Sequence, residues 1–238
     1  MKILITGVSS GIGQGLLNYY LANGHEVYGI SRRIVTNSSA NFHFSSLDLS
    51  KIDLISPTII QLLNGIDSLD LVILNAGSLT PFGDIKTTSL EILNENMQIN
   101  VWVNKLIIDT LLSNINNVKQ IVGISSSASQ SGNRGWNGYA LSKATLNMLM
   151  SLYSSEVSAT HFSAIAPGLV DTDMQDYLDQ LPTNDDYPVL QYLQEARGTV
   201  NMPVPDVAAP MLDKAFQHVL SLPSGQYLDV RNLPEKTP

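Results

Sequence analysis

Residues 2–24 read KILITGVSSGIGQGLLNYYLANG, and their pattern decides the fold. Lys2 to Thr6 is a short apolar run bounded by a turn, the signature of a strand buried inside a sheet. A glycine-rich turn follows, Gly7-Val8-Ser9-Ser10-Gly11-Ile12-Gly13. Gln14 to Asn23 then sets Leu16, Leu17, Tyr20 and Leu21 on one helical stripe, with Gly24 as its stop. A strand feeding a helix through glycines lets the backbone approach a pyrophosphate, whose charge suits the helix N-terminus. The spacing, T-G-x-x-x-G-x-G, differs from the G-x-G-x-x-G fingerprint, and many such turns are glycine-rich for packing alone.

Outward from this unit the alternation repeats. His25 to Ile30 and Phe42 to Leu47 read as strands, Ile52 to Leu63 as a helix, and Leu69 to Leu74 as a continuous apolar strand. Thr88-Ser89-Leu90-Glu91 has the pattern of a capping box opening a long helix to about Leu112. Ile121 to Ile124, the helix carrying Tyr139, Phe162 to Ala166, a helix over Asp206 to Leu220 and a strand over Gln226 to Val230 complete the series. The pattern predicts one α/β domain over residues 1–238, a doubly wound Rossmann-type fold with a parallel sheet of about seven strands. Ligands of such sheets bind beyond the carboxyl ends of the strands. The polar clusters fall at those ends: Gly7 to Gly13, Ser31-Arg32-Arg33, Asp48, Asn75-Ala76-Gly77, Ser125 to Ser127 and Pro167 to Thr172.

Composition narrows the function. Thirteen Lys and Arg against 21 Asp and Glu give a net charge of −8, which argues against nucleic acid or an anionic membrane as the main partner. The absence of cysteine excludes a disulfide framework and thiolate chemistry. No apolar run approaches the roughly 20 residues that span a bilayer. The chain passes from Met1 straight into the first strand, leaving no room for a secretory signal, so a cytoplasmic protein is expected. Asn37-Ser38-Ser39 is then a chance match to a glycosylation acceptor. His25, His43, His161 and His218 lack metal-ligand spacing, and no metal is expected. Asp171, Asp173, Asp176 and Asp179 read as loop caps and a solvated face.

The chemistry lies in residues 121–150, IVGISSSASQSGNRGWNGYALSKATLNMLM. Tyr139 and Lys143 stand four apart near the start of a helix, so their side chains share a face. An ammonium beside a phenol lowers a pKa that is otherwise about 10. Ser126, at the strand end, can bring a hydroxyl to the same point. Together they suit protonation of a carbonyl oxygen as hydride reaches its carbon. Tyr-x-x-x-Lys alone is also an ordinary helix face, so the reading depends on a hydride carrier elsewhere in the chain. Among the neighbouring serines, Ser125, Ser127, Ser129 and Ser131 are expected to satisfy backbone groups in a tight loop.

With T-G-x-x-x-G-x-G at Thr6 to Gly13, N-A-G at Asn75 to Gly77, Tyr139-x-x-x-Lys143 and P-G-x-x-x-T at Pro167 to Thr172, the chain resembles the short-chain dehydrogenase/reductase family over almost its whole length. The resemblance places the family's serine on Ser126 and its long-helix asparagine on Asn100. It implies that Tyr139 exchanges the proton and that Lys143 supports Tyr139 and bonds the nicotinamide ribose. Ser126 would orient the substrate oxygen, and Asn100 would position a water linking Lys143 to solvent. The implied cofactor set comprises Gly7, Ser9, Ser10, Gly11, Ile12 and Gly13 in the first turn, with Ser31, Arg32 and Arg33 after the second strand. Asp48 and Leu49 would edge the adenine, and Asn75, Ala76 and Gly77 would line the groove. Pro167, Gly168 and Val170 join the set, with Thr172 on the nicotinamide carboxamide. An acid at the second strand end would hold a ribose 2′-hydroxyl; Arg32 and Arg33 stand there instead, with no acid nearby, so NADP(H) is expected ahead of NAD(H).

APGLVDTDMQ at 166–175 and SGQYLD at 224–229 resemble runs in the sepiapterin reductase and benzil reductase-like branch. That implies NADPH-dependent reduction of a ketone or dicarbonyl. In sepiapterin reductase an aspartate at this place anchors the pterin, and Asp229 falls on it. Residues 169–205 correspond to the family's substrate lid, with a short helix near Pro188 to Ala196. Met174, Tyr177, Leu178 and Tyr187 are candidate lining residues, and Trp136 a candidate cleft wall. The helices around Glu91 to Leu112 and from Tyr139 onward are the family's dimer surfaces, so a homodimer or homotetramer is expected. The competing readings are an alcohol or hydroxysteroid dehydrogenase using NAD(P), and a dinucleotide-sensing regulator without turnover. The intact Asn100, Ser126, Tyr139 and Lys143 set argues against the regulator.

Overall fold

Apolar strands that must be covered on both faces, joined by helices with one apolar stripe, assemble here into a layered α/β structure. It is a computed structural model that describes residues 1–233. The first half comprises β1 (Lys2–Thr6), α1 (Gly11–Ala22), β2 (Glu26–Ser31), β3 (Phe42–Ser46), α2 (Ile52–Leu62), β4 (Ser68–Leu69), β5 (Leu71–Leu74), α3 (Leu90–Met97) and α4 (Val103–Asn114). The second comprises β6 (Asn117–Val118), β7 (Gln120–Ile124), α5 (Asn137–Glu156), β8 (His161–Ala166), α6 (Asp173–Asp179), α7 (Pro188–Ala196), α8 (Pro205–Val219) and β9 (Gln226–Asp229).

Seven strands form one sheet in the order β3-β2-β1-β5-β7-β8-β9, every pair parallel. Strand order reverses between β1 and β5, which opens the crevice where ligands of doubly wound folds bind. Alternation along β1 sends successive side chains to opposite layers. Ile3 and Ile5 pack with Leu16, Leu17 and Tyr20 of α1 and Phe216 of α8. Leu4 packs with Ile107 and Leu111 of α4 and Leu146 and Met150 of α5. Each such side chain contributes roughly 1.5–3 kcal/mol by leaving water. No helix among the described residues is long and apolar enough to cross a membrane.

Several local expectations are revised. The first helix begins at Gly11 rather than Gln14, so the glycine turn runs directly into its first turn. The apolar run from Leu69 to Leu74 breaks at Asp70. Its carboxylate accepts the Lys2 N–H at 2.8 Å and pairs with Lys119, while Ser68–Leu69 leaves the main sheet to pair with β6. The long helix starts from Ser89, whose hydroxyl accepts the Ile92 N–H at 3.3 Å. Thr88 cannot cap it, because its own hydroxyl donates to the Asp84 carbonyl at 3.0 Å. That helix is also interrupted by a π-turn over Gln98–Trp102. Wider turns of this kind re-aim side chains and recur at functional sites. Asn100 sits in the middle of this one.

Candidate active site

The crevice at the β1–β5 reversal widens into a cleft of about 920 Å³. Its floor is the glycine turn, locked from below by the turn after β5. Asn75 Nδ2 donates to the Thr6 carbonyl at 2.9 Å, and Thr6 Oγ1 accepts the N–H groups of Asn75 and Ala76 at 3.0 Å each. This leaves no room for a side chain at Gly13: a Cβ there would lie 2.2 Å from the Gly7 carbonyl oxygen and 2.5 Å from Asn75 Nδ2. Gly7 and Gly11 turn the backbone at φ of 78° and 55°. The start of α1 has no acid in its first turn and no side-chain cap from Ser10, so its N–H groups are left for an anionic ligand. Donors, tight turn and positive helix end fit the pyrophosphate of a dinucleotide.

The wall that carries the residues expected to be catalytic comes from β7 and α5. Tyr139 is 7% and Lys143 5% exposed, both lining the cleft with Ser126. Lys143 Nζ donates to the Ile124 carbonyl at the end of β7, at 2.7 Å, and lies 5.7 Å from the centre of the Tyr139 ring. Burial lowers the Lys143 pKa to about 8. The expected depression of the Tyr139 pKa is not what the site produces. Burial raises it, and a hydrogen bond from the Ser126 hydroxyl works in the opposite direction. Desolvation outweighs the neighbouring cation because Lys143 is itself buried, bonded to a carbonyl and only partly charged near pH 8.

Asn100 is fully buried under this wall. Its Oδ1 accepts the Ser78 N–H at 2.8 Å, and its Nδ2 donates to the Ser78 carbonyl and to Ser142 Oγ, each at 2.9 Å. Gly77 brings the turn close to both groups: a Cβ there would stand 3.1 Å from Asn100 Oδ1 and 3.5 Å from Lys143 Nζ. Three supporting residues escaped the sequence reading. Asn147 bridges the serine loop, accepting from Ser125 Oγ at 2.5 Å and donating to Ser129 Oγ at 2.8 Å. Asn96 donates to the Ser78 carbonyl at 2.9 Å. Asn137 opens α5 with φ of 28°, held there because its side-chain amide donates to the carbonyls of Pro81 and Gly83. The pinned entry fixes where Tyr139, two residues on, faces. An asparagine with several polar neighbours was the available signal in each case, but sequence alone does not say which neighbours fold together.

Of the residues anticipated for proton transfer and cofactor binding, all but Gly13 and Asn100 line the cleft; those two support it from behind. Arg32 and Arg33 reach the cleft from the end of β2. They are not without acids, as the local sequence suggested. Arg33 pairs with Asp173 of α6 at 3.3 Å, and Asp48 lies within the field of Arg32. The aspartate cluster is likewise more than loop caps: Asp171, Asp176 and Asp179 all converge on Arg197. Trp136 is both packed and cleft-lining, 5.4 Å edge-on from Phe82 and 5.6 Å from the Tyr139 ring. Of the four lid candidates, Met174 lines the cleft, whereas Tyr177, Leu178 and Tyr187 belong to lid packing. Asp229 also stays out of the lining; Arg231 covers it and takes its place. No group of three or more metal-ligating side chains occurs among the described residues.

Known proteins resemble this chain in sequence and in fold. The family model for short chain dehydrogenase matches residues 1–182. Benzil reductase ((S)-benzoin forming) of Bacillus subtilis (strain 168) is 27% identical over 220 residues, covering 88% of this chain and 90% of that protein. The Saccharomyces cerevisiae benzil reductase ((S)-benzoin forming) IRC24 is 32% identical over 196 residues, 73% of each chain. In fold, the crystal structure of the YIR035C short-chain dehydrogenase/reductase from S. cerevisiae superimposes with a TM-score of 0.85 at 23% identity, covering 98% of this chain and 96% of that one. The chain thus belongs to the short-chain dehydrogenase family of oxidoreductases, in its benzil reductase-like branch.

Proposed function

We propose that this protein is an NADP(H)-dependent carbonyl reductase that converts a ketone or dicarbonyl to an alcohol, with Tyr139 as the proton donor. The observation that carries the reading is the convergence of Ser126, Tyr139 and Lys143 on the cleft that also holds the glycine turn. The similarity to benzil reductases supports the choice of substrate class. A bound nicotinamide dinucleotide supplies the hydride that the carbonyl carbon accepts. Tyr139 gives its phenolic proton to the carbonyl oxygen, and its raised pKa keeps that proton in place until the oxygen becomes basic. Ser126 donates a hydrogen bond to the same oxygen. Lys143 stabilises the phenolate left on Tyr139. Asn100, fixed in the π-turn, keeps the Ser78 and Ser142 shell in register behind Lys143.

The NADP(H) preference rests on Arg32 and Arg33, whose guanidinium groups suit a ribose 2′-phosphate. Arg33 must share itself between that phosphate and Asp173, which leaves Arg32 as the main contact. Arg32→Ala is therefore expected to raise KM for NADPH by about tenfold or more, and KM for NADH far less. Steady-state kinetics with both cofactors checks this; equal effects on the two would sink the assignment. Self-association belongs to the same reading. Leu141, Met148 and Leu152, each more than half exposed, share one face of α5 and suit a homodimer or homotetramer contact.

A further inference from the structure

Among the described residues, Arg231 is the one cation in the cleft wall that the proposed cofactor and proton-transfer roles leave unused. It enters from the turn that follows β9 and shares the lining with Met174 of α6 and Val189, Tyr192 and Leu193 of α7. Its stem packs over the Pro-Gly turn, where a Cβ on Gly168 would lie 3.8 Å from Arg231 Cγ. Nε and Nη2 donate to Asp229 Oδ1 and Oδ2 at 2.9 and 2.5 Å, and Asp229 Oδ1 also accepts the Arg231 backbone N–H at 3.0 Å. The two side chains differ sharply in access: 7% exposed for Asp229 and 49% for Arg231.

A guanidinium presents two planar forks, one from Nε and Nη2 and one from Nη1 and Nη2. Asp229 fills the first. Among the described residues nothing meets the second, nor does anything bond the nearby Tyr192 hydroxyl. Arg231 takes three of the roughly four acceptor sites of the Asp229 carboxylate, and Asp229 itself does not line the cleft. The residue offered to a substrate is therefore a donor rather than an acceptor.

We infer that Arg231 is a specificity-determining residue whose free fork receives a carboxylate borne by the substrate away from the carbonyl being reduced. Two parallel N–H groups match two carboxylate oxygens, a fit that a single neutral acceptor does not use fully. Asp229 acts as a positioning residue that holds the guanidinium plane. The apolar remainder of the wall, Met174, Val189, Leu193 and Trp136, suits a hydrocarbon or aromatic body. The substrate class is then an aromatic or aliphatic oxo acid. This inference rests on the carbonyl-reductase reading above.

The test compares NADPH-dependent reduction of 3-benzoylpropionate, its methyl ester and benzil by the wild-type protein, Arg231→Met and Arg231→Lys. The wild type is expected to prefer the acid to the ester in kcat/KM. Arg231→Met lowers that acid-to-ester ratio about tenfold or more, chiefly through KM for the acid. Arg231→Lys keeps the charge without the fork and recovers only part of the ratio. No preference in the wild type, or a ratio unchanged in Arg231→Met, overturns the inference while leaving the reductase reading intact. If none of the three compounds is reduced, the reductase reading fails instead. Quenching of Trp136 fluorescence by 3-benzoylpropionate, measured with NADP+ present, then decides on binding alone. Weakening of about tenfold in Arg231→Met supports the assignment, and equal quenching in both proteins removes it.

Discussion

Under Tyr139 the polar groups are buried and bonded to one another, whereas around residues 169–205 they are partly or fully exposed and joined by charge. Asn100, Ser142 and Lys143 are almost without solvent contact, and each has a short, directional partner. Residues 169–205, expected to form the lid, are tied to the body by Arg33 on Asp173 and Arg134 on Asp186, and to one another by Arg197 on three aspartates. Breaking a buried bond strands a polar group at a cost of about 1–3 kcal/mol, and salt does not relieve it. Exposed ion pairs are individually weak and are screened beyond a Debye length of about 8 Å at physiological ionic strength. The contrast points to a division of labour: the proposed proton-transfer site is held by buried bonds before any ligand arrives, and access to it would be left to contacts that exchange readily.

Three experiments test that division. The largest effect is expected from Tyr139→Phe, which removes the proton donor from an otherwise intact wall. It should lower kcat by at least about 10²-fold while NADPH binding, followed by cofactor fluorescence, stays nearly unchanged. A Phe variant of near-normal activity would remove Tyr139 from the chemistry.

Next is the pH dependence set by Lys143. Its proton is lost as pH rises through about 8, so kcat/KM for reduction should bend downward there, by about tenfold per pH unit beyond the bend. The stability effect has the opposite sign. A lysine depressed from 10.5 to about 8 disfavours the fold fully below pH 8, and the penalty fades as pH climbs toward 10.5. Lys143→Met should accordingly melt no lower than wild type at pH 7, though inactive; a markedly lower Tm would mean that the bond to Ile124 outweighs burial of the charge.

The smallest effect belongs to the lid. Arg197→Gln unties Asp171, Asp176 and Asp179 at once, yet kcat/KM should change by no more than about threefold. Limited proteolysis between α6 and α7 should become faster. A loss as large as that of Tyr139→Phe would show that the lid pairs belong to the catalytic assembly.

Much of this was legible from the chain. Strand and helix periods gave the alternation, and residues at strand ends were bound to meet at one edge of a parallel sheet. That is why Ser126, Tyr139, Lys143 and the glycine turn share a cleft. What escaped depends on partners distant in sequence. Asp70 breaks an apolar run because Lys2 and Lys119 draw its carboxylate aside. The π-turn at Asn100 follows from packing against Ser78 and Ser142, which no helical period records. The aspartates after the Pro-Gly turn looked like a solvated face until Arg197 and Arg33 arrived from elsewhere. The direction of the Tyr139 shift turned on depth of burial, a property of the finished fold.

Protonation of a carbonyl by the prebuilt wall as hydride arrives is tested most directly by stoichiometry. Protein loaded with NADPH is mixed with benzil, and loss of cofactor absorbance is followed alongside product. Benzil-dependent oxidation is expected, with one hydroxyketone formed per NADPH consumed. NADPH that binds but is not consumed with benzil or any other ketone would contradict it.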